Sequence, residues 1–235
     1  MNRRHGLLAA LACPLAACPA LGLAQTSAPQ AAPMGELKPL GQERFQIGRI
    51  VVDKRARSFI VPGRVHVLDK PLEYLATSPG GRKAYETLLE LSASGTEFNI
   101  ACLLIGLERD PNLPASRPPF EAAATGPRVI LSVAWGEGGQ RRQISAAQAL
   151  LNAQAGAKVE TIEWAYTGSF SSRDGSQFAA DHTGNLISFI KDPTGIVEAV
   201  SGTGLGPYGA VRGSSMLPPV GSAIELIVEA ANVSK

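Results

Sequence analysis

Two glutamates are the first residues whose surroundings suggest chemistry. Glu73 lies in Pro71-Leu72-Glu73-Tyr74-Leu75 and Glu86 in Tyr85-Glu86-Thr87-Leu88-Leu89, so each carboxylate is set in an otherwise apolar block. A carboxylate drawn toward a core must be ion-paired, hydrogen-bonded or protonated, and such groups gather at binding and catalytic sites. The plain structural alternative is an ion pair with Arg82 or Lys83, or exposure on the outer face of a strand and helix. Histidine chemistry has less to work with. His66 and His182 are far apart in the chain, and a metal site would need the fold to bring both together with a carboxylate such as Glu73, Glu86 or Asp181. Asp181-His182 invites a catalytic pairing, but neighbours on a strand point to opposite faces. The candidate ligand-binding residues are therefore Glu73, Glu86, Asp181, His182 and His66, with no metal and no cofactor expected.

Other signals point away from familiar enzymes. There is no Gly-x-Ser-x-Gly elbow for a serine hydrolase and no Cys-x-x-Cys pair for zinc, iron-sulfur or thioredoxin chemistry. Gly202-Thr203-Gly204-Leu205-Gly206 leads into Pro207 and not into a helix, which suits a surface loop better than a phosphate cradle. Trp164 and Tyr166 alternate with polar neighbours and are expected in the core. Lys54, Arg55 and Arg57 mark a charged turn.

The elements that must hold these groups are mostly strands. Ile47 to Val67 reads as strand, turn, strand, and Leu72 to Thr77 as a short third strand closed by Ser78-Pro79-Gly80-Gly81. Tyr85, Leu88, Leu89 and Leu91 fit a short helix. Ser94-Gly95-Thr96-Glu97 is a capping box for a second helix, apolar almost all round. Asp110 to Pro127 carries five prolines and is expected to be a loop. A hairpin follows across Gly136 to Gly139, and Ser145 to Gln148 is a second capping box, predicting a helix to about Asn152. Strands are expected at Ile162 to Tyr166, in a hairpin across Thr183-Gly184-Asn185, and at Ile224 to Val228. These elements predict an α+β domain built on a largely antiparallel β-sheet, with hairpins and one buried helix packed on a face.

Composition sets the outer limits. Of 235 residues, 45% are hydrophobic, which is enough to bury a core, and 22 bases against 20 acids give no electrostatic case for nucleic acid. Arg3 and Arg4 precede an apolar run from Leu7 to Ala17 and then small residues, the pattern of a bacterial export signal. Two exits compete: cleavage after Ala24, or a lipobox, Leu15-Ala16-Ala17-Cys18, that would place a lipid on Cys18 as the attachment residue. Residues 1–24 are thus expected to be a leader, 25–40 a Pro/Ala-rich tether, and 41–235 a single globular domain without a transmembrane helix. Either exit predicts a periplasmic or secreted protein, or one lipid-anchored in the envelope. Cys102, in an apolar segment, is expected to be a buried thiol.

Several blocks together carry a resemblance. Pro71 to Leu75, Tyr85 to Leu89, Ala101 to Leu107, Thr167-Gly168-Ser169, Gly184 to Ser188 and Leu217-Pro218-Pro219 resemble the YdjY-type domain family of bacterial exported proteins, over about Phe45 to Val228. The resemblance implies an extracytoplasmic domain of uncharacterised function, with Glu73 and Glu86 as the place to look for a shared site. Relatives often carry histidine where this chain has Tyr85, and a polar residue or histidine near Asn99, a departure that weakens a metal or acid-base role. The ferredoxin-like label attached to some relatives finds no cluster ligands here. The expected function is a non-catalytic binding or interaction module whose partner is an envelope protein or a small ligand. The alternatives are a metal-assisted hydrolase using His66, His182 and a carboxylate, and a lipid-anchored structural lipoprotein.

Overall fold

A computed structural model describes residues 35–109, 124–154, 156–172, 175–200 and 209–232. The expected leader, Cys18, most of the proline-rich segment and the first residues of the glycine-rich run lie outside the described residues. In chain order the elements are β1 (Leu37–Gly41), β2 (Arg44–Ile47), β3 (Ile50–Asp53), β4 (Ser58–Val65), β5 (Tyr74–Thr77), β6 (Thr87–Leu91), α1 (Gly95–Leu104), β7 (Arg128–Glu137), β8 (Gln140–Ser145) and β9 (Leu150–Asn152). They continue as β10 (Ala157–Lys158), β11 (Trp164–Tyr166), α2 (Ala179–Thr183), β12 (Asn185–Ser188), β13 (Val197–Ala199), β14 (Val211–Gly213) and β15 (Ala223–Ala230).

Eight of these strands close on themselves. The ring runs β4, β15, β7, β11, β13, β12, β5, β6 and back to β4, antiparallel everywhere except between β5 and β6 and between β12 and β13. The fold is therefore a closed β-barrel, which corrects the expected α+β arrangement of an open sheet with a helix on one face. The misread period of β6 explains the difference. Leu88, Leu89 and Leu91 suggested a helix, yet only Ala84–Glu86 makes a 3-10 turn and Thr87–Leu91 is a strand buried on both faces, where alternation disappears. That strand is the one that closes the barrel. Two other expectations also fail: Ser145 and Gln148 do exchange capping hydrogen bonds, but a turn into β9 follows, and the hairpin expected across Gly184 is α2 followed by β12.

Register shows what fills the interior. Leu226 stands opposite Val61 on one side and Val133 on the other, and Val228 opposite Phe59 and Leu131. All six are buried, and an eight-stranded barrel is just wide enough for such side chains to fill. Two strands are shared between the barrel and its appendages. Along one edge β4 pairs first with β3 and then, from Gly63, with β6. A Cβ at Gly63 would come 2.5 Å from the Glu90 carbonyl oxygen, so this change of partner needs glycine. Likewise β7 pairs first with β11 and then with β8. The outermost strand, β1, is exposed along its length, and Lys38 and Pro39 make its free edge a poor template for pairing with another chain.

Helix α1 starts as the sequence predicts, with a complete Ser94–Glu97 capping box. Phe98 meets Phe59 edge-on at 5.2 Å, and Asn99 accepts a 2.8 Å hydrogen bond from the Tyr166 hydroxyl. Phe59 and Tyr166 belong to the inward-facing set, so α1 closes one mouth of the barrel. Arg57 donates to the Ile105 carbonyl at its C-terminal end. Trp164, Tyr166 and Cys102 are buried, as expected, and burial pushes the Cys102 thiol up. Among the described residues no helix is long and apolar enough to cross a membrane.

If α1 is a plug, its inner and outer faces must differ in energy. Phe98→Ala should cost about 3–5 kcal/mol in urea unfolding, whereas Leu103→Ala, at a side chain on the exposed face, should cost less than about 0.5 kcal/mol. Equal costs would contradict the placement.

Candidate functional site

Parallel neighbours usually need a crossover of a dozen or more residues, often helical. Here both crossovers are shorter and irregular: one spans Ser78 to Glu86 between β5 and β6, the other Phe189 to Ile196 between β12 and β13. Irregular backbone must find side-chain partners for its polar groups. The polar cluster of the molecule sits on these two connections.

Glu73 and Glu86 immediately precede β5 and β6, and because those strands run parallel with Tyr74 opposite Thr87, the two glutamates are neighbours. The Glu73 amide donates to the Glu86 carbonyl at 3.0 Å. Lys83 serves both side chains, 2.5 Å from Glu86 Oε1 and 3.8 Å from Glu73 Oε2. Its ammonium also donates to the Tyr85 hydroxyl at 3.2 Å and lies 5.5 Å from the Tyr85 ring centre. Tyr85 itself is 61% exposed, which is unusual for so large an aromatic side chain. Burial raises the Glu73 carboxyl above its ordinary range, the Glu86 charge adds to this, and Lys83 opposes it. The Lys83 ammonium is held more firmly protonated, chiefly by its hydrogen bond to Glu86.

The second crossover supplies Asp192. Its Oδ2 accepts from the Tyr74 hydroxyl at 3.0 Å and from Asn185 Nδ2 at 2.7 Å, while Oδ1 accepts from the Thr194 amide at 2.9 Å and the Thr194 hydroxyl at 2.7 Å. A carboxylate with this many donors is a structural anchor, and it ties β5, β12 and the crossover together. Burial and the Asp192 charge together push the Tyr74 phenol well up. The Asp192 amide in turn donates to Glu198, whose side chain is buried.

The structure brings Glu73 and Glu86 together. The other sequence candidates have different neighbours. Asp181 lies on α2, not a strand, and accepts from the Thr96 amide at 2.8 Å and from the Thr96 hydroxyl, so it anchors the first turn of α1. The His182 ring contacts Arg82, and the His66 amide bonds to the Leu88 carbonyl. Among the described residues no group of three or more His, Cys, Asp or Glu is placed to hold a metal ion. Sequence reasoning missed Tyr74, Asn185, Asp192 and Thr194. The available signal was Asp192-Pro193-Thr194-Gly195, where an aspartate two residues before a threonine is the mark of a side chain bonding its own turn.

A family model for the YdjY domain matches residues 50–229, most of the chain. The chain belongs to the YdjY domain family. No curated protein and no solved structure matches it. The match begins with the first residue of β3 and ends within β15, so the YdjY domain here includes the whole barrel, its α1 plug and both polar crossovers.

Two outcomes follow. Glu73 has a folded pKa above its ordinary value of 4.5, so the fold prefers its protonated form. Its contribution is complete below the unfolded value and is lost as pH rises through the folded value. Between about pH 4 and pH 7, the difference in urea midpoint between Glu73→Gln and the unsubstituted protein should therefore move in favour of the variant, and a pH-independent difference would contradict the burial of this carboxyl. Tyr74→Phe should cost about 1–2 kcal/mol, because the Asp192 carboxylate loses a buried donor.

Proposed function

We propose that this YdjY domain is an exported, non-catalytic binding module of the bacterial envelope that takes a ligand or partner through a cationic group at the Glu73–Glu86–Tyr85 corner. The observation that carries the proposal is the sharing of one ammonium by two neighbouring carboxylates beside an exposed aromatic ring. Among the described residues Lys83 is the one ion-pair partner of both glutamates, and it also lies against Tyr85. The corner therefore already accommodates an ammonium made by the protein itself, through ion pairs and a contact with an aromatic ring. A ligand ammonium presented from solvent meets the same groups. Asp192 adds negative charge behind them.

Export is supported by the leader pattern of Arg3, Arg4 and the apolar run to Ala17, and by membership of a family that the sequence resemblance associates with exported proteins. A tether from Gln25 up to β1 would let the barrel reach a partner away from the membrane, and it is shorter than the expected 25–40 because Leu37–Gly41 pairs with β2.

Benzylamine, which carries an ammonium and a ring, is a suitable probe. The full domain should bind it with a dissociation constant in about the millimolar range by calorimetry. Glu73→Gln and Tyr85→Ala should each weaken that binding several-fold, and Lys83→Ala should tighten it by vacating the internal ammonium. Unchanged affinity in all three variants, with the fold intact by circular dichroism, would overturn the assignment. Intact-mass measurement of the exported protein tests its processing: a chain beginning at Gln25 means plain cleavage, added acyl mass on Cys18 means a lipid anchor, and an unprocessed cytoplasmic chain refutes export.

A further inference from the structure

A second site lies on the opposite kind of charge, away from the glutamate corner. Where β4, β15 and β7 run side by side, their upper ends form the floor of a cleft of about 890 Å³. Pro62, Glu225 and Ala134 stand in register across that floor. One wall is Arg49, from the β2–β3 turn, with Glu90 and Ser92 at the end of β6. The other is the start of β8, from Gly139 to Arg141. The departure of β3 from β4, and the pairing of β8 with this end of β7, leave the three central strands bordered in this way.

The charges in this cleft are not balanced. Arg64 is paired with Glu90 at 2.7 Å and Arg141 with Glu225 at 2.5 Å. Arg49, exposed on its wall, forms no ion pair or hydrogen bond among the described residues. Both carboxylates are therefore engaged, whereas one cation is left over. A guanidinium presents several N–H groups in a fork that fits an oxyanion. The volume of the cleft falls within the range of small-molecule sites.

We propose that this cleft binds a small organic or inorganic oxyanion, of the size of a polycarboxylate or a phosphate, held by Arg49 together with the Arg64 and Arg141 guanidiniums. The site is independent of the glutamate corner, which selects the opposite charge, and either assignment can fail alone.

Trp135 lies behind the cleft floor and provides the nearer reporter, since the chain has two tryptophans and the other, Trp164, stands opposite Val129 at the far end of β7. In a Trp164→Phe background, titration with citrate and separately with inorganic phosphate should change Trp135 emission saturably, and sodium chloride at equal ionic strength should not. The anion giving the lower midpoint identifies a carboxylate or a phosphate as the better-fitting chemistry. Arg49→Ala and Arg141→Ala should each weaken binding about tenfold or more, as expected for loss of a charge-assisted hydrogen bond. Arg128→Ala, on the same strand as Trp135 but outside the cleft and paired with Glu163, should leave binding unchanged. Calorimetry on the unsubstituted protein gives the same comparison if the Trp164 variant fails to fold. No saturable response to either anion up to about 10 mM, or equal weakening by Arg49→Ala and Arg128→Ala, would overturn the proposal.

Discussion

Everything in this molecule depends on three residue pairs between β4 and β6. Gly63 with Leu91, Arg64 with Glu90 and Val65 with Leu89 join the two ends of an otherwise open sheet. Without them β4 would end the sheet on one side and β6 on the other, each with unpaired amides and carbonyls. With them, the inner faces of eight strands surround one apolar core. The closure is narrow because β4 gives the first part of the same edge to β3. That division is what Gly63, with no room for a side chain, makes possible.

Closure also explains where the polar chemistry lies. A ring built only from hairpins would place its connections at the two ends. Two parallel pairs interrupt that pattern, and each obliges the chain to travel back along the barrel before the next strand. Apart from the single 3-10 turn Ala84–Glu86 these return paths are irregular, so side chains do the work that a helical ladder would do for itself. Asp192 gathers Tyr74, Asn185 and Thr194 around one such path, and Lys83 draws Glu73 and Glu86 together around the other. The glutamate corner is thus a product of topology: parallel strands in register make neighbours of residues thirteen positions apart.

How much of this was legible in the sequence depended on range. Features set by a few adjacent residues could be read: the Ser94 cap, the hairpin across Gly136 to Gly139, the alternating Trp164 and Tyr166, and the burial of Cys102. Glu73 and Glu86 could be singled out because a carboxylate in an apolar block is conspicuous. Their adjacency could not, since it follows from β6 being a strand, and a strand buried on both faces has no period to distinguish it from a helix. Asp181 misled for a related reason. Next to His182 it suggested chemistry, but its partner is Thr96, far earlier in the chain. Asp192 was passed over because its turn residues looked merely like a turn.

The position of β15 has a consequence for the order of events in folding. The last described strand lies between β4 and β7, bonded along most of its length to both. A chain that emerges from its N-terminus onward can form the early hairpins and the α1 cap box, but β4 and β7 have no common neighbour until nearly the whole polypeptide is available. The first turn of α1 likewise awaits Asp181. Long-range pairings of this kind slow folding and make it depend on the final segment. The barrel is therefore assembled late and cooperatively. A truncation that removed β15 would do more than shorten one edge: it would take out the strand joining the two halves of the ring.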